Sequence, residues 1–124
     1  MVLVLLQMVS MAFAEEPTEM ALTVTHAGAG AAATFSVTDV PATKVWLLAG
    51  MESVSFAPTR GCVGVTMGVM PTRRLQISVD DTGSAAISGT LPESLAGKTA
   101  YVQALAYNAT TASCEVTEVV EMTL

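Results

Sequence analysis

Basic side chains are scarce in this chain. Five Lys and Arg stand against eleven Asp and Glu, the net charge is −6, and the five are scattered. A nucleic-acid surface needs clustered Lys and Arg to displace counterions from phosphate, so no nucleic-acid partner is expected. The same scarcity excludes a basic patch for a membrane surface, and the acidity serves solubility. Charge of either sign is low, at 13% against 52% hydrophobic residues. A disordered chain has the opposite balance. Histidine occurs once, as His26, so any Ser–His–Asp or Cys–His arrangement would have to use it. No Gly-x-Ser-x-Gly elbow is present and no partner for His26 can be named, so no catalysis is expected. One His with two Cys falls short of a zinc ligand set. No metal and no cofactor is implied. No long helical period and no internal repeat appears.

What is present starts with an apolar N-terminus. Met1–Ala14, MVLVLLQMVSMAFA, holds an almost unbroken apolar run over Val2–Val9 and a small-x-small site, Ala12-Phe13-Ala14, followed by Glu15-Glu16-Pro17. This is the layout of a secretory signal peptide, too short to cross a bilayer as a helix. The usual Lys or Arg ahead of the run is missing, which fits either an upstream start or an atypical signal. Cleavage after Ala14 leaves Glu15 as the new terminus, with no Cys there for a lipoprotein anchor. Glu15–Glu19 is an acidic lead-in, and Met20–Leu124 is one domain. The expected location is extracellular or periplasmic, with no membrane span after cleavage.

Cys62 and Cys114 are the only cysteines. In an oxidising compartment an even number favours a structural disulfide over a metal or catalytic pair. Closing a loop of roughly fifty residues is worth about 4 kcal/mol in the chain-entropy model. The alternative is two buried free thiols.

The body of the chain alternates with period two, the mark of strands with one buried face. Met20–His26 and Thr34–Val40 are expected strands around a small, flexible turn, Ala27–Ala33. Pro41, with no N–H to give, ends the second. Lys44–Ala49 is apolar on both faces, as a strand covered on both sides would be, and Trp46 is expected in the core. Ser53–Ala57 reads as a short edge strand. Pro58–Pro71 reads as a long connection with room for one short strand. Arg73–Asp80 and Ser84–Leu91 read as partners across a turn in which Asp80 and Asp81 accept local bonds and Gly83 takes the left-handed position. Two carboxylates are too few for calcium, which needs six or more oxygens. Leu91–Gly97 reads as a crossover with one helical turn. Lys98–Leu124 is the clearest hairpin, its two runs flanking Asn108–Ser113. On the last run Glu115 and Glu121 are expected on one face and Glu118 on the other, with room for a bulge near Glu118. Strand signals about every ten residues point to a single all-β antiparallel sandwich of about seven strands, immunoglobulin- or fibronectin-like.

The succession VDDTGSAAISGTLPESLAGKTAYVQALA, ending in CEVTEVVEMTL, resembles an immunoglobulin-like module of secreted and surface bacterial proteins. The resemblance rests on Asp80–Gly83, Leu91-Pro92, Gly97 and Tyr101–Ala104, and spans about residues 73–124. Thr117-Glu118 departs from the usual Ser-Asn of the terminal strand. The resemblance implies an exported sandwich and carries no general biochemical role.

Tyr101, Gln103 and Tyr107 share one strand face and are the candidate ligand-binding residues. Aromatic faces with an amide suit a pyranose, although large aromatics also dominate cores. Arg60, beside Cys62, suggests a protease-inhibitor loop, against which the surrounding glycines count because such loops gain affinity from rigidity. Asn108-Ala109-Thr110 is a formal glycosylation sequon at the hairpin tip, without meaning in a bacterial protein. The expected function is a secreted, non-catalytic surface or envelope module that works by binding or spacing, its partner a surface protein or a glycan. Carbohydrate binding is the first alternative and protease inhibition through Arg60 the second.

Overall fold

A computed structural model describes residues 19–58, 62 and 64–124. The signal peptide, nearly all of the acidic lead-in, and Arg60 lie outside them.

The described residues form ten strands and a short 3-10 helix, Glu93–Leu95: β1 (Ala21–His26), β2 (Ala32–Thr38), β3 (Lys44–Gly50), β4 (Ser53–Phe56), β5 (Met67–Val69), β6 (Arg73–Ser78), β7 (Ala85–Thr90), β8 (Thr99–Asn108), β9 (Ser113–Val116) and β10 (Val120–Thr123). The fold is all-β and its pairings are antiparallel, with more strands than the expected seven or so. One sheet has the order β1-β2-β7; a second has β10-β8-β3-β6, with β9 also paired to β8; β4 and β5 pair with each other.

The alternating pattern places the core between the two larger sheets. Val37 and Ala85 enter from one; Val45, Leu47, Val102 and Ala104 enter from the other. Along β8 the small residues Ala100, Ala104 and Ala106 are buried beside Val102, which lets the sheets approach closely. Cores of this kind gain about 25 cal/mol for each Å² of apolar surface removed from water.

Four expectations need correction. Arg73–Asp80 and Ser84–Leu91 are not partners. Strand β6 pairs with β3, whereas β7 pairs with β2 in the other sheet. The turn between them therefore carries the chain from one sheet to the other, and its local chemistry is the same either way.

The last run is two strands, not one. Val116 stands opposite Leu105 and Val120 opposite Val102, so Thr117, Glu118 and Val119 face only Gln103 and Ala104. An extra residue in a period-two strand reverses its faces beyond the bulge. Glu115 accordingly lies with Ala106 and Glu121 with Tyr101, on opposite faces of β8.

Trp46 is not in the core. It is 39% exposed on the outer face of its sheet, while Leu48, two residues on, is buried. The cover over that face is the β4–β5 ribbon, an arm inserted between β3 and β6, whose Gly68 meets Gln103, the residue opposite Leu48.

Finally, Gln103 is buried, at 3% exposure, because the same arm lies over it. The arm is held at two points. The Gly68 N–H donates to Gln103 Oε1 at 3.0 Å, and Cys62 is bonded to Cys114, 52 residues away in sequence. The expected tie between the long connection and the start of the last strand is present.

Candidate binding face

Strand β8 alternates by necessity: Ala100, Val102, Ala104 and Ala106 face the core, so Tyr101, Gln103, Leu105 and Tyr107 face outward. The arm crosses this outward row at Gln103 and divides it. On one side Tyr101 is half-buried opposite Glu121. On the other Tyr107 is 54% exposed and stands opposite Cys114, with Leu105 between it and the crossing.

Trp46 of β3 faces Leu105, and its other neighbour is Gln76 of β6. Same-face residues one step apart on adjacent strands are diagonal neighbours about 7–8 Å apart, within reach of aromatic side chains. Trp46, Leu105 and Tyr107 thus form an exposed aromatic platform edged by the Gln76 amide and seated beside the disulfide. Of the three expected ligand residues, Tyr107 belongs to this platform, Tyr101 lies beyond the arm, and Gln103 has both ends of its amide occupied. Its nitrogen donates to the Thr117 carbonyl at 2.8 Å and its oxygen accepts from Gly68. Trp46, an aromatic that a sugar-binding face could use but expected in the core, belongs to this face instead. The available signal was Lys44, which shares its face and marks that end of the strand as wet.

The remaining candidates are accounted for locally. Asp80 Oδ1 accepts from the Thr82 hydroxyl at 2.6 Å, the Thr82 N–H at 2.9 Å and the Ser84 N–H at 2.9 Å. The Thr82 hydroxyl first, then the Ser84 and Thr82 N–H groups, hold its carboxyl below the ordinary 3.8. Gly83 has φ +85°, the left-handed conformation expected of it, and its N–H donates to the Asp80 carbonyl. Asp81 is exposed and takes no part in this bonding.

His26 is exposed at the end of β1, where its Nδ1 accepts from the Gly28 N–H at 3.2 Å. Asn108 shapes the β8–β9 turn: its Oδ1 accepts from the N–H groups of Thr110 and Thr111, and its amide donates to Glu115 Oε2 at 3.3 Å. Among the described residues no three or more His, Cys, Asp or Glu converge as a metal would require. No helix among them is long and apolar enough to cross a membrane.

Compared with known proteins, the chain matches no family model, no curated protein and no solved structure.

Proposed function

We propose that this is a secreted, non-catalytic module that works by binding, on an immunoglobulin- or fibronectin-like sandwich. With β9 and β10 counted as one bulged strand and the arm as an insertion, seven strands remain in the orders β1-β2-β7 and β10-β8-β3-β6. That arrangement agrees with a fibronectin-like topology. The observation that carries the binding reading is the platform of Trp46, Leu105 and Tyr107, because exposed aromatics on a rigid sheet supply large contact area with little entropy to lose.

A glycan is the favoured ligand class. Trp46 and Tyr107 present ring faces, and Gln76, adjacent to Trp46, supplies the amide that Gln103 cannot. Purified secreted protein should be retained on an insoluble polysaccharide, and Trp46→Ala or Tyr107→Ala should abolish retention. Capture only of solubilised envelope proteins would move the platform to an assembly role. Binding to neither would leave a spacer and overturn the binding reading. The N-terminus of the secreted protein should be Glu15; an unprocessed chain from an exporting host would refute the signal peptide.

A further inference from the structure

The two large sheets do not close along the side where β6 and β7 lie. Each is the terminal strand of its sheet, and between them is a cleft of about 310 Å³. Its floor is Leu47 and Val102, both buried; Phe35 and Ile87 form one wall and Leu75 the other. Leu75 stands opposite Leu47 and so faces the core side, yet it is 45% exposed. This part of the core is open to solvent.

Two observations indicate that the opening is a place for a ligand. Gly89 pairs with buried Ala33 and so lies on the inner face of β7, at the cleft. A Cβ there would meet nothing within 4 Å. A glycine inside a strand often marks such an approach by another molecule. The second observation is charge. Arg73, one of only five basic residues in a chain of net charge −6, stands opposite Ala49 on the inner face and lines the cleft; Arg74, opposite Leu48, reaches it only from the rim, and no carboxylate lines it.

We propose that this cleft binds a medium-chain acyl carboxylate, its tail among Phe35, Leu75 and Ile87 and its carboxylate at Arg73. The volume lies at the lower end of the roughly 300–1,000 Å³ usual for small-molecule sites, which suits a single chain and excludes a two-tailed lipid. The apolar walls exclude a sugar. The guanidinium fork matches a carboxylate in two parallel hydrogen bonds. The site is on the inner side of the five-stranded sheet and the aromatic platform on its outer side, so the two readings stand or fall separately.

Calorimetric titration with dodecanoate, below its micellar concentration, tests this against dodecanol and dodecyltrimethylammonium. Dodecanoate should bind one to one. Losing a charge-assisted bond worth about 1.5–3 kcal/mol should make the alcohol weaker by about tenfold or more. The cation should be weaker still. Arg73→Gln should reduce dodecanoate to the affinity of the alcohol, and Lys98→Gln, away from the cleft, should change nothing. Gly89→Leu fills the space from an extended strand position; it should abolish binding of both amphiphiles while the protein stays folded, seen as an unchanged circular dichroism spectrum. No binding, a carboxylate no tighter than the alcohol, or binding indifferent to Gly89→Leu would each overturn the proposal. So would a stable dimer that Gly89→Leu dissociates, which would give the cleft to a second copy of the chain.

Discussion

Gln103 and Thr117 are hydrogen-bonded to each other across the bulge between β9 and β10. The Gln103 amide donates to the Thr117 carbonyl at 2.8 Å, and the Thr117 hydroxyl accepts from the next residue's N–H, Ala104, at 3.0 Å. Both residues are buried, at 3% and 5% exposure. The bulge takes groups out of the regular ladder, and these two side chains satisfy them; the remaining end of the Gln103 amide reaches the arm. Fully satisfied buried networks fix one arrangement, and partly satisfied ones are costly.

Gln103→Leu should therefore destabilise the protein by about 1–3 kcal/mol, because the Thr117 carbonyl and the Gly68 N–H lose their buried partner. Urea unfolding would show it as a lower midpoint. An unchanged midpoint would mean that water reaches both groups and that the arm does not seal this position.

Cys62→Ser should lower the melting temperature under oxidising conditions. The chain-entropy value for so long a loop is about 4 kcal/mol. Added reductant should bring wild type and variant to the same temperature. Equal melting before reduction would refute a stabilising role for the bond.

Gly83→Val should cost at least about 1 kcal/mol, since a β-branched residue is strained at positive φ. Asp81→Ala, two residues away but outside the bonding, should melt like wild type. A neutral Gly83→Val would show that the turn relaxes to another conformation.

Asp80 gives the acid limb a defined sign. Its folded carboxyl titrates below the ordinary 3.8, so the unfolded chain binds the proton more readily and stability rises with pH through this window. The contribution is fully present above the unfolded value and is lost as pH falls through the folded one. Asp80→Asn keeps the acceptor and removes the titration, so the melting temperature should fall less steeply on acidification. Identical acid limbs in the two proteins would remove Asp80 as a cause.

Most strands could be read from alternation alone. Expected Thr34–Val40, Lys44–Ala49 and Arg73–Asp80 correspond to β2, β3 and β6 with shifts of a residue or two. Alternation reports that a face is covered and is silent on what covers it. Lys44–Ala49 has two apolar faces, but only the arm decides that Leu48 is under cover and Trp46 is not. Gln103 reads as a wet residue for the same reason. The Asp80–Gly83 turn shows the complementary limit: Asp and Gly specify a local reversal, and whether the flanking strands then share a sheet depends on pairings with β3 and β2. The bulge at Thr117–Val119 shifted Glu121 to the face opposite Glu115 because period two has no memory beyond an inserted residue. Of the binding face, Tyr107 was legible, whereas Trp46 and the cleft beside Leu75 depend on contacts between distant segments.

The arm has a consequence for how the chain tolerates remodelling. It leaves the sheet after Gly50 and returns where the Thr72 N–H donates to the Ala49 carbonyl at 2.9 Å, and Ala49 and Arg73 are already paired. Its two ends are thus neighbours in an ordinary hairpin. Excision of the whole segment, with a short turn in its place, would leave β3 and β6 aligned, but Leu48 and Gln103 would lose their roof. The arm, the residues beneath it and the disulfide therefore form a single exchangeable unit, and grafting a different loop at this junction requires replacing Leu48, Gln103 and Cys114 with it.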